Sequence, residues 1–186
     1  KRLGLSNTEI ALYTSWLYLP WTIKPLWSPF IDLLKTKRWW IVAMQALIGA
    51  AMAGIAFFIP THFYVQASLA CFWLMAFSSA THDISADGFY MLGLSEGEQS
   101  FFVGIRNTFY RFANIFGQGI LVMIAGWIEE RSGNIPLAWS LVFYFMAGLF
   151  IALTLYHSYI LPRPINDTKT EAVSGKGLWE NFLKTF

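Results

Sequence analysis

The sequence predicts an all-α membrane protein, and three observations carry that prediction. Of its 186 residues, 56% are hydrophobic and 13% charged, against about 25% charged in soluble domains. The apolar residues fall in long unbroken runs, each with the roughly 20 helical residues that cross about 30 Å of hydrocarbon. None of the runs alternates like a barrel strand, so each must satisfy its backbone internally as a helix.

Five spans follow in order, at about 10–31, 39–59, 63–85, 101–128 and 137–161. The first, Ile10 to Ile31, has Lys24 as its one charge and Pro20, Pro25 and Pro29, each inviting a kink because proline removes a backbone donor. The second, Trp39 to Ile59, has no charge; Ala46, Gly49, Ala50, Ala53 and Gly54 form a small-residue face that lets another helix approach. The third begins near Phe63, runs uncharged to His82 and continues into Asp83 and Asp87. The fourth, Phe101 to Ile128, carries Arg106 and Arg111, and the fifth, Leu137 to Leu161, carries His157. Trp39, Trp40, Tyr64, Trp127 and Tyr159 at span ends read as interfacial belts. The connections Asp32–Arg38, Pro60–His62, Leu92–Ser100 and Glu129–Pro136 are short, so consecutive helices run antiparallel.

Basic residues set the expected orientation. Lys35, Lys37, Arg38, Arg163, Lys169, Lys176 and Lys184 lie on one side, and Lys1, Arg2 and Arg131 on the other. Residues 32–38, 92–100 and 162–186 are therefore expected in the cytoplasm. Residues 1–161 read as a transmembrane bundle and 162–186 as a polar cytoplasmic linker. At the linker's end, Leu178, Trp179, Phe182, Leu183 and Phe186 recur at helical spacing over 178–186, either as an interfacial amphipathic helix or as a segment packed on the rest of a longer protein. The chain begins at Lys1 with neither Met nor a signal-peptide pattern, so it is expected to be a piece of a longer protein.

The polar residues inside the spans carry the functional expectation. A charge in the bilayer costs about 2.5–3.5 kcal/mol on insertion scales, so it persists with a partner or a wet cavity. Ser79, Asp83 and Asp87 recur every fourth residue on one helix face, with His82 and Tyr90 beside it. Asn107, Arg111, Asn114 and Gln118 make a second stripe, and Arg106 points to a neighbouring face. Lys24 lies about 12 Å deeper than Asp32, at about 1.5 Å of rise per residue. Ion pairing of Asp83 and Asp87 with Arg106 and Arg111 is expected, as static pairs or as a proton relay, since two carboxylates one turn apart repel. Lys24 either meets a substrate or counter-ion in a cavity or pairs with Asp83. His82 is expected to hydrogen-bond rather than carry protons, and His157 to mark the interface. Asn114 and Gln118 either bind a sugar or peptide or join helices.

Other classes fare poorly. A net charge of +2 does not suit nucleic acid, and Cys71 has no partner for an internal disulfide. No zinc pattern, nucleophile elbow or nucleotide loop is present, so neither catalysis, a metal nor a cofactor is predicted.

The stretch "WTIKPLWSPFID" followed by "KTKR" resembles the loop signature of the major facilitator superfamily, with Ser28 where Gly is usual and Leu33 where Arg is usual. With "ATHDISADGFY" and "GIRNTFYRFANIFGQG", the chain looks like the AmpG-type muropeptide permease branch, related to acetyl-CoA transporters. Lys24, Trp27, Ser28, Pro29, Asp32, Asp83, Asp87 and Arg111 match that branch, and His82 replaces its usual Gln. The resemblance covers Leu3 to about Pro164 and implies five helices, the second through sixth, of a twelve-helix transporter whose N-terminal bundle has six. It further implies a multi-pass protein of the bacterial inner membrane, alternating access, a proton gradient as driving force and anhydro-muropeptides or related sugar-containing metabolites as solutes. In that reading Lys24, Asn114 and Gln118 contact solute, and Asp83, Asp87, Arg106 and Arg111 couple protons. Ser28, Asp32, Lys35, Lys37 and Arg38 form a cytoplasmic gate. The alternative is a membrane scaffold or sensor whose ion pairs only hold helices together. The partners implied are a small-molecule solute, the lipid bilayer and the missing C-terminal half.

Overall fold

Prolines decide the shape of the first membrane segment. The computed structural model describes residues 5–167, and of Asp32 and Leu33 the backbone alone. The amphipathic segment 178–186 lies outside the described residues. Helix α1 (Asn7–Leu17) opens on a capping box: the Ser6 hydroxyl accepts from the Glu9 N–H, and the Glu9 carboxylate accepts from the Ser6 N–H at 2.9 Å. Hydrogen bonds from the Ser6 hydroxyl and then its backbone hold the Glu9 carboxyl below the usual carboxylate range. This cap is present above that range and lost as pH falls through the lowered value. Beyond α1 the chain restarts three times, as α2 (Leu19–Ile23), one 3₁₀ turn (Lys24–Leu26) and α3 (Ser28–Leu34). Pro20, Pro25 and Pro29 each stand in the first turn of one of these pieces, where a missing N–H costs no hydrogen bond.

The remaining helices are long. Thr36 caps α4 (Lys37–Phe58) by accepting from the Trp39 N–H. Helix α5 (Tyr64–Gly93) is followed by α6 (Glu96–Ile115), a π-helical turn (Phe116–Ile120) and α7 (Leu121–Ser132), then by α8 (Ile135–Ile160). Helices α6 and α7 run on as one helix of 37 residues through that turn. Among the described residues, Lys37–Phe58, Glu96–Ser132 and Ile135–Ile160 are long and apolar enough to cross a membrane. The other two expected spans are helical as well, one broken by its prolines and the other, α5, carrying Ser79, His82, Asp83, Ser85 and Asp87 in its second half. The chain is an all-α membrane protein.

A tight corner joins α7 to α8. Gly133 adopts φ 63°, the left-handed region, and Asn134 caps α8 by accepting from the Leu137 N–H at 3.0 Å. Gly133→Ala adds a Cβ where L-residues are strained by about 1–2 kcal/mol. The expected result is a loss of about 1 kcal/mol in unfolding free energy, measured by denaturant titration in detergent.

Helix α4 is the central element, packed between α5 on one side and α8 on the other, while α7 packs on α8. Ile41, Ile48, Ala51, Ile55 and Ala56 of α4 are buried, as are Ala80 of α5 and Ala138, Val142 and Ala147 of α8. The small residues of α4 do not form a single face. A Cβ on Gly49 would lie 3.3 Å from Ile151 and Phe150 of α8, whereas one on Gly54 would lie 2.9 Å from the Cys71 sulfur of α5. Five helical residues turn the chain by about 140° beyond a full revolution, so the two glycines serve opposite neighbours. Ala46 and Ala50 are exposed. Helix α6 is largely exposed, including Phe109, Tyr110, Phe112 and Ile115.

Candidate functional site

The break in the first segment brings Lys24 to the middle of α5. Its ammonium donates to Asp83 at 2.9 Å and lies 5.4 Å from the centre of the Trp21 ring. Trp27 fixes the same turn by donating from its indole to the Thr81 hydroxyl at 3.3 Å, with its ring 5.4 Å from that of Phe77. The pieces that follow each restart, α2, the 3₁₀ turn and α3, all pack on α5.

From the other side, Arg106 of α6 donates to Asp83 at 3.1 Å through one guanidinium nitrogen and to Asp87 through another. Asp83 therefore bridges two cations from separate elements, and Arg106 bridges two carboxylates one turn apart. The Asp83 side chain is 20% exposed, against 33% for Lys24 and 55% for Arg106. The Tyr90 hydroxyl donates to the Gln99 carbonyl, a second tie between α5 and α6. Chemically, the cluster is a chain of ion pairs in which Lys24 meets Asp83, and Arg106 spans Asp83 and Asp87.

The other candidates are placed differently. Arg111 makes no hydrogen bond or ion pair with the described residues. The Asn114 amide donates to the Tyr110 carbonyl and the Gln118 amide to Asn114, so both are engaged along their own helix. Ser28 starts α3, and the Lys35 ammonium lies 5.7 Å from the centre of the Trp39 ring. Lys37 and Arg38 form the first turn of α4. The side chain of Asp32, with its part in the expected gate, lies outside the described residues.

Two participants, Gln45 and Asp167, carried little signal in the sequence, and a third, His82, is placed otherwise than expected. Gln45, buried on α4, hydrogen-bonds the Nδ1 of His157 on α8 at 3.0 Å. His157 therefore joins two helices rather than only marking an interface. The signal was a lone amide in an otherwise apolar span. His82 does not make the expected hydrogen bond through its Nε2, which turns inward and is buried without a partner among the described residues. With Gln45, Ser79 and Trp21 it lines a cavity of about 560 Å³. The Asp167 carboxylate accepts from the backbone N–H groups of Lys37 and Arg38; nothing in the turn-rich sequence around it pointed there. An apolar cavity of about 390 Å³, bounded by Tyr13, Ser68, Phe72 and Trp139, has none of the charged candidates in its wall. Among the described residues no three His, Cys, Asp or Glu side chains converge as metal ligands do.

The chain is similar to several known proteins. The family model of the BT1 family matches residues 1–100. An uncharacterized protein of Haemophilus influenzae is 30% identical over 152 residues, covering 74% of this chain and 32% of that protein. The anhydromuropeptide permease of Escherichia coli is 28% identical over 137 residues, covering 70% of this chain and 26% of the permease. An uncharacterized protein of Schizosaccharomyces pombe is 24% identical over 158 residues, covering 68% of this chain and 30% of that protein. The chain thus spans about a third or less of the length of these relatives. No solved structure matches it.

Proposed function

Because this chain belongs to the BT1 family, we propose that it forms part of a secondary transporter, proton-coupled, that imports anhydro-muropeptides or related sugar-containing metabolites by alternating access. The observation that carries this reading is Asp83 holding Lys24 and Arg106 at once, from two different elements. A carboxylate shared in this way changes both partnerships on taking up one proton. The name of the E. coli relative, an anhydromuropeptide permease, supports transport over catalysis, as well as the muropeptide class; we place the protein in a bacterial inner membrane.

In this mechanism Lys24 releases Asp83 to meet an anionic group of the solute. Asp83 or Asp87 then takes up a proton, and Arg106 keeps whichever carboxylate stays charged. Arg111, exposed on α6, is left for solute or for the other half of the transporter, and Asn114 and Gln118 exchange their bonds along the helix for solute hydroxyls or amides. Ser28, Asp32, Lys35, Lys37 and Arg38 act as a gate at the cytoplasmic end. Residues 32–38, 92–100 and 162–186 face the cytoplasm, as the basic residues near the span ends favour.

The test is uptake of labelled anhydro-muropeptide into vesicles containing the full-length protein to which this chain belongs, driven by an imposed pH gradient. Asp83→Asn is expected to lower the driven rate at least about tenfold, equivalent to 1.4 kcal/mol, while exchange without a gradient survives better. Driven uptake unchanged in both Asp83→Asn and Asp87→Asn would remove the carboxylates from coupling. No solute flux at all in the full-length wild-type protein would favour the scaffold reading, in which the same ion pairs only hold the Lys24–Leu26 turn, α5 and α6 together.

A further inference from the structure

The first turn of α4 touches three other parts of the molecule. Its amide groups at Lys37 and Arg38 have no carbonyl to bond within the helix, and Asp167 supplies the acceptor, at 2.7 Å and 3.0 Å. A carboxylate is suited to this place because the N-terminal end of a helix carries partial positive charge. The Arg38 side chain does the converse for α8. Its Nε donates to the Leu161 carbonyl at 3.1 Å and its Nη2 to the Ser158 carbonyl, at the end where helix carbonyls lack partners. One turn thus fastens both the end of α8 and the segment that leaves it.

The same turn also reaches α5. The Lys37 side chain lies flat on Gly88, so closely that a Cβ there would stand 2.6 Å from Lys37 Cε and 2.7 Å from Cδ. Gly88 follows Asp87, which holds Arg106. Glycine is what lets the lysine stem pass across the helix at this level.

We propose that Asp167, Arg38 and the Lys37–Gly88 contact form a clasp that links the segment after α8 to the charge cluster on α5, so that rearrangement at Asp87 loosens the hold on Asp167. The mechanical route is short. A shift of α5 at Asp87 carries Gly88 with it, Gly88 displaces the Lys37 stem, and the Lys37 and Arg38 amides turn away from the carboxylate. The segment from Leu161 to Asp167 is then freed from the bundle end. This inference rests on the coupling role proposed for Asp83, Asp87 and Arg106.

Hydrogen exchange of the Lys37 and Arg38 amides in the full chain, held in nanodiscs without solute, tests it. Asp167→Ala is expected to speed exchange at both amides at least about tenfold, with Asp167→Asn in between. Arg106→Gln is expected to speed it about threefold, and that response should vanish in Gly88→Leu, where the lysine no longer rests on α5. Gly88→Ala serves if the leucine variant does not fold. Unchanged exchange in Asp167→Ala would overturn the clasp, and a response to Asp167→Ala with none to Arg106→Gln would overturn the link to the cluster. Exchange is read at equilibrium without transport, so either failure is distinct from an absence of uptake.

Discussion

Asp83→Ala is expected to destabilise the protein more than any other single charge removal in the cluster. Breaking a buried ion pair by deleting one partner costs about 3–5 kcal/mol, because the remaining charge is left uncompensated. Here two charges are left. Arg106 is 55% exposed and keeps Asp87, so its share falls to the surface value, below about 1 kcal/mol. Lys24 is 33% exposed and loses the one carboxylate it bonds among the described residues. The net expectation is a loss of about 2–3 kcal/mol, read by denaturant unfolding of the full chain in detergent. Adding Lys24→Met to Asp83→Ala should recover about half of it, since the orphaned cation is removed as well. A single variant within about 0.5 kcal/mol of wild type would show that neither cation depends on Asp83.

Gly49→Leu tests the packing that holds the bundle together. At Gly49 a Cβ alone would already lie 3.3 Å from Ile151 Cγ1 and from Phe150 Cβ, and 3.5 Å from the Ala147 carbonyl oxygen. A Cβ and a carbonyl oxygen sit on the backbone of α8 and cannot swing away as a side-chain tip can. Leucine therefore requires α8 to move off α4, and the expected cost is about 3 kcal/mol, the upper end for overpacking. Gly49→Ala should come out near neutral, because the squeeze offsets the gain of about 1 kcal/mol in helix propensity. Ala50→Leu, on the exposed neighbour, should change stability by less than about 0.5 kcal/mol. Equal losses at residues 49 and 50 would mean that α4 and α8 do not meet there.

How legible the cluster was depends on the residue. The four-residue spacing of Asp83 and Asp87 placed both carboxylates on one face of α5 before any coordinates. The spacing could not say which arginine meets them. Arg106 and Arg111 are five residues apart, about 140° around the helix beyond one turn, so α6 can offer only one to α5. Lys24 was open between a solute and Asp83, and the proline restarts settle its resting place by steering that turn onto α5. Gln45 with His157, 112 residues apart in sequence, and Asp167 with the first turn of α4 left no local pattern to read.

The sequence by itself determined that the chain is helical and membrane-embedded, where its long apolar runs lie, and where prolines interrupt the first of them. Those properties follow from hydropathy and from proline's missing N–H, both of which act within a few residues. Only the tertiary structure decided how each helix is rotated and which neighbour it meets: Gly49 toward α8, Gly54 toward α5, Arg106 rather than Arg111 toward the carboxylates. Rotation is set by contacts between segments far apart in the chain, and a helix of uniform apolarity carries no local preference for one face over another.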